Sequence, residues 1–161
     1  MIKQVTFMLT ILLTANVAYA DSQLERMEVL SEELSQLMYD AMIDEVAAEG
    51  VDVSNLKKLV PDVGWDGPMR DAAKCVLGKY EDKIGSKGID EMLDKLEGIL
   101  PELRKGGGMQ ALEAMPDIQP KGISDEEAIA LNQECGMVDQ MQKNMMADGF
   151  MTELMKAMSG S

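Results

Sequence analysis

Apolar residues recur at spacings of three and four along most of this chain. No stretch alternates with the period of two that a half-buried strand needs. Aromatic residues, which favour strands, make up only 4% of the sequence. A chain patterned in this way hides its apolar surface by packing helices on helices. The first stripe is Met27, Leu30, Leu34, Leu37 and Ala41. It predicts a helix over 23–49, with Ser22 and Glu25 as a capping box and Gly50 as a left-handed cap. A short helix over 55–60, capped by Asp52 or Ser54, is expected to stop at Pro61. The following PDVGWDGP is dense in turn formers.

A second helix is expected from Pro68, with Met69, Ala72, Ala73, Val76, Leu77, Tyr80 and Ile84 buried and Gly85 and Gly88 at its end. A third should cover 89–100, with Ile89, Met92, Leu93, Leu96 and Leu100 inward and Pro101 kinking or ending it. Gly106, Gly107 and Gly108 break the chain, and 106–123 reads as irregular with one helical turn near 111–114. A fourth helix is expected over 124–147, opened by a Ser124/Glu127 capping box, with Ala128, Leu131, Cys135, Val138 and Met145 on one side. Gly149 sets off a last helix over 150–158. The fold class is all-α: one domain, 21–161, forming a compact bundle of four to five helices.

The first twenty residues, MIKQVTFMLTILLTANVAYA, read as a secretory signal peptide. Lys3 supplies the positive start, Val5 to Leu13 the apolar stretch, and Ala18-Tyr19-Ala20 the small-x-small cleavage site. No Cys follows, so a lipid anchor is not indicated. The expected location is the periplasm or outside the cell, with no membrane insertion once the signal is removed. Export places Cys75 and Cys135, the only 2 cysteines, where disulfides persist. They are expected to pair, since neither lies in a C-x-x-C and no His stands by to activate a thiolate.

Composition excludes several chemistries. With 0 His there is no Ser-His-Asp triad and no imidazole metal ligand. A net charge of −14 argues against nucleic acid as a partner. Neighbouring acids such as Glu32 and Glu33 do not face each other on a helix, and no phosphate loop, nucleophile elbow or zincin motif is present. The expectation is a non-enzymatic protein without a cofactor. Basic residues gather at Arg70, Lys74, Lys79, Lys83 and Lys87, and internal neutralisation by the acidic helices is the favoured explanation.

Methionine is the unusual residue, at 16 of 161. Met137, Met141 and Met145 step by four, as do Met151 and Met155. Such a stripe fills core gaps or offers an adaptable partner surface. Soft thioethers also suit Cu(I), so Met137, Met141, Met145, Met151 and Met155 form an alternative copper set. The only Trp, Trp65, is expected to anchor its loop or to serve as a contact.

The exported helical body, with one Cys in RDAAKCVLGKY and another in QECGMVDQM, resembles small exported proteobacterial proteins of the quorum-sensing-regulated virulence factor type. The resemblance covers the Cys75–Cys135 core. It implies an all-α fold, export and a non-enzymatic role at the host or neighbour interface, and it assigns no functional residue. The expected function is therefore an exported protein-binding factor, either a secreted virulence or interaction factor or an immunity-type inhibitor. Its partner would be another protein, met through Trp65, Met137, Met141, Met145 and Met155. The alternative is a Met-rich periplasmic copper-handling protein.

Overall fold

The computed structural model describes residues 2–105, 118 and 120–159, with side chains from 20 onward except at 147. Its described residues form five α-helices and no strand. They are α1 (Ile2–Ala48), α2 (Gly67–Arg104), α3 (Asp125–Glu134), α4 (Met137–Ala147) and α5 (Phe150–Ser159). A 3-10 turn, Leu56–Lys58, lies between α1 and α2. Among the described residues no helix is long and apolar enough to cross a membrane. The helical turn expected near 111–114 lies outside the described residues.

The start of α1 departs from expectation. Ser22 is helix interior rather than a cap, because neither Gly nor Pro interrupts the chain between Ile2 and Ala48. The other end is as expected: Gly50 takes φ 83° and its N–H bonds the Ala47 carbonyl at 3.0 Å. The short helix before Pro61 shrinks to one 3-10 turn. Asp52, expected as a possible cap, accepts instead from the N–H and hydroxyl of Ser54.

In α2 the Asp66 carboxylate caps the first turn by accepting from the Met69 N–H at 2.9 Å, and Pro68 lies in that turn. The helix breaks at Gly85, whose φ 68° and ψ 167° fall in a region open essentially to glycine alone. Its two arms are 67–84 and 86–104. Gly88, expected as a terminator, sits inside the second arm. It is needed for closeness: a Cβ there would lie 2.8 Å from the Ile84 Cβ. Gln23 of α1, buried, secures the break by donating from Nε2 to the Ser86 carbonyl and the Asp90 carboxylate, both at 2.9 Å. Pro101 does not end the second arm. It falls in the last turns, which run on to Arg104.

The single helix expected over 124–147 is two. Gly136 takes φ 73°, so the chain turns between α3 and α4. That turn shifts the register, burying Met137 and leaving Val138 exposed. The capping box opening α3 is present: Ser124 Oγ accepts from the Glu127 N–H, and Glu127 Oε2 accepts from the Ser124 N–H at 3.1 Å. Cys75 and Cys135 form a disulfide, with Cα atoms 5.6 Å apart, tying α2 to the end of α3.

Two apolar clusters hold the bundle. The larger joins Leu24 and Leu30 of α1 to Ala73, Val76, Ile89, Leu93 and Leu100 of α2, with Ala128 and Met137. The smaller joins Tyr39, Ile43 and Val46 of α1 to Leu56, Phe150 and Leu154. The basic residues of α2 are consumed internally. Arg70 pairs with Glu28, Lys74 with Asp21, Lys79 with Glu134, Lys83 with Glu127 and Lys87 with Glu91. Arg26 and Arg104 add pairs between α1 and α2, to Asp94, Glu97 and Glu33. Most of these pairs are exposed and screened by solvent, so together they set register more than stability.

The Lys83 contact, followed by the Ser124 N–H, holds the Glu127 carboxyl below the usual carboxylate range. A lowered folded-state pKa stabilises the fold above the unfolded pKa, and this is lost as pH falls through the lowered value. Glu127→Gln is therefore expected to be less stable than wild type at neutral pH and equal to it once Glu127 is protonated. Urea unfolding across a pH series checks this, and a gap that did not change with pH would contradict it.

Candidate functional site

The sequence builds one cleft between α1 and α4. On α1, Met27, Ser31, Ser35 and Met38 follow one another at helical spacing and face the same side. The two serines are short, so they leave a trough between the two methionines. On α4, Met137, Met141, Asn144 and Met145 form the opposite wall. The connector closes one side with Pro61, Asp62, Val63 and Trp65, and Met69 enters from the first turn of α2. The cavity measures about 200 Å³.

This cleft lies where the two apolar clusters meet. Met69 and Met137 belong to the larger one and Tyr39 to the smaller. Tyr39 packs edge-on against Phe150, ring centroids 5.0 Å apart, so its ring is a fixed part of the cleft's end. Burial, and then the charge of Asp148, push the Tyr39 phenol up, so it remains a protonated hydroxyl. Trp65 is half-buried against the larger cluster, and its backbone N–H donates to Glu32 Oε1 at 3.2 Å, linking the connector to α1.

The disulfide bears on the same wall. Cys135 caps the end of α3, Gly136 makes the turn, and Met137 is the first residue of α4. The covalent link therefore fixes where α4 begins. Gly149 and Phe150 fix where it is left behind: Gly149 turns with φ 74° and Phe150 is fully buried.

Four of the five contact residues expected from sequence, Trp65, Met137, Met141 and Met145, line this one cleft. Met155 does not: it is 61% exposed on α5, away from the lining. The five-methionine copper set is divided in the same way. Met137, Met141 and Met145 share the cleft, whereas Met151 packs against the smaller cluster and Met155 faces solvent. Among the described residues no three His, Cys, Asp or Glu side chains gather as a metal site.

Sequence reasoning missed half of the methionines that meet here. Met27 and Met69 read as ordinary core positions, and Met38 was not on the first stripe. A second stripe, Tyr39, Ile43 and Val46 at spacings of four and three, was available to signal that α1 buries two faces.

Six methionines, one Trp and one Tyr around a cavity of this size make an apolar, polarizable and deformable receptor. Its volume is below the roughly 300–1,000 Å³ of sites that enclose a drug-sized ligand. An apolar cavity of about 150 Å³ takes a molecule the size of benzene, so this one fits a large apolar side chain. No family model, no curated protein and no solved structure matches this chain.

Proposed function

We propose that this chain is an exported, non-enzymatic binding protein that takes an apolar anchor of another polypeptide into the methionine cleft. It would act as a secreted interaction factor or an immunity-type inhibitor. The observation that carries the reading is the convergence of Met27, Met38, Met69, Met137, Met141 and Met145 on one cavity beside Trp65. Unbranched thioethers adapt to varied apolar shapes, the property that Met-rich partner grooves use. Exposed Met141, at 51%, extends the apolar surface from the cavity to the outside, where an incoming helix would lie. The signal-like first twenty residues and the Cys75–Cys135 disulfide support export. Copper ligation by thioethers is the weaker reading, since Met151 and Met155 stand apart from the other three.

The test uses the chain's only Trp, which lines the cleft. A Trp-free amphipathic helical peptide with a Leu/Phe face and a Gln polar face is titrated into the purified protein. Trp65 emission should shift on binding, and Met141→Gln with Met145→Gln should weaken the affinity about tenfold, the effect of about 1.4 kcal/mol. Binding unaffected by the double substitution would refute the cleft as the receptor.

A further inference from the structure

We infer that the polypeptide anchor is cationic beside its apolar side chain, with Lys or Arg reaching Asp62 and Asp148 at the cleft's edge. This rests on the binding reading above and narrows it to one class of partner.

The apolar cleft continues into a second depression lined by Pro61, Asp62, Gly64, Asp66, Asn144 and Asp148. Pro61, Asp62 and Asn144 line both hollows, so a ligand seated in one borders the other. The second hollow, about 210 Å³, holds three carboxylates and no Lys or Arg in its lining. The five bases of the first α2 arm and its border engage carboxylates elsewhere, so none of them neutralises this hollow. No ion pair engages Asp62, Asp66 or Asp148 among the described residues.

Two of these carboxylates are held in place by their own turns. Asp62 Oδ1 accepts from the Gly64 N–H at 3.0 Å, and Asp66 Oδ1 from the Met69 N–H at 2.9 Å. A cation arriving there meets charge already positioned, so little ordering is needed on binding. The whole-chain charge of −14 acts in the same sense at longer range, drawing basic segments in and repelling acidic ones. The occupant is thus an amphipathic basic segment: its apolar side chain fills the methionine cavity, and a Lys or Arg about one helical turn away meets the acidic hollow.

Three Trp-free helical peptides with one shared Leu/Phe face and polar faces of Lys, Gln or Glu test this, with Trp65 emission as readout at two salt concentrations. The Lys peptide should bind roughly five- to tenfold tighter than the Gln peptide at low salt, with the advantage shrinking in high salt. The Glu peptide should bind most weakly. Asp62→Asn with Asp148→Asn, in which Asn keeps the Asx turn at 62, should abolish the preference for the Lys peptide over the Gln peptide; the ratio of the two affinities is the readout, because Asp62 also lines the cleft. Circular dichroism confirms that the variant remains helical.

Equal binding of Lys and Gln peptides, or a Lys preference that survives the Asn substitutions, overturns the inference and leaves the binding reading standing. Lys-peptide binding that is unchanged when two of the six cleft methionines are lost, in the Met141→Gln, Met145→Gln protein, shows only general attraction to an acidic surface and overturns it too. If no peptide shifts Trp65, both readings fail together.

Discussion

Replacing Cys75 and Cys135 with serine is expected to cost the fold about 4 kcal/mol, from the entropy the cross-link removes from the unfolded chain. The bond spans a sequence separation of 60, long enough for that entropy to be large. Much of the typical 5–15 kcal/mol stability of a small domain is at stake. The loss should not be uniform. Helices α1 and α2 share the larger cluster and pairs such as Arg26–Asp94, so their contact survives reduction. Helix α3 buries only Ala128, with Leu131 packed partly against the larger cluster, and a Tyr80–Asn132 hydrogen bond and exposed pairs to Lys79 and Lys83 are its other ties to α2. The reduced protein should therefore loosen first at α3 and α4, and with them the far wall of the methionine cleft. Guanidinium unfolding of the oxidised and double-serine proteins, with hydrogen exchange to locate the change, checks both parts. Midpoints that coincide would show that packing alone holds α3, contrary to this view.

The second large effect concerns Phe150. It is fully buried, meets Tyr39 edge-on and shares its cluster with Ile43, Val46, Leu56 and Leu154. Phe150→Ala should cost about 3–5 kcal/mol, through lost transfer energy and the cavity left behind. The loss extends beyond one side chain. Helix α5 has 10 residues, too few to persist as an isolated helix, so it depends on docking through Phe150 and Leu154. Alanine at 150 should therefore expose α5 to proteolysis, whereas Phe150→Leu, which keeps much of the volume, should cost less than about 1.5 kcal/mol. Denaturant midpoints for the pair, with limited proteolysis mapped by mass, make the comparison. Equal costs for Ala and Leu would mean that volume at 150 is not what holds α5.

The helix stripes and most of their ends were legible because periodicity and glycine act locally. Gly50, Gly149, the Ser124 capping box and the buried face from Met69 to Tyr80 all follow from residues within a few positions of each other. The Cys75–Cys135 disulfide was legible from the count of two cysteines together with the signal-like start and the lack of a C-x-x-C or His. Errors arose where glycine has two uses. Gly88 was expected to end a helix, yet it is a packing residue against Ile84, whereas Gly136 was placed inside an expected helix, yet it turns the chain. Only tertiary packing separates the two cases. Ser22 failed as a cap because nothing upstream ends the helix, a condition the S-x-x-E pattern does not contain. Half of the cleft was visible as the Met137–Met141–Met145 stripe. The other half was not, since Met27 and Met38 on α1 and Met69 on α2 lie far in sequence from the α4 stripe and meet it only through the packing of the three helices.

The most direct test of the methionine cleft as receptor is a spectrum of methionine methyl groups, labelled with carbon-13, during titration with the Gln-faced peptide. The methyls of Met27, Met38, Met69, Met137, Met141 and Met145 should shift together with Trp65 emission, while those of Met155 and Met158 on exposed α5 positions stay in place. Shifts confined to Met146, Met155 and Met158, with the six cleft methyls unmoved, would place any binding on the outer surface and contradict the cleft as the receptor.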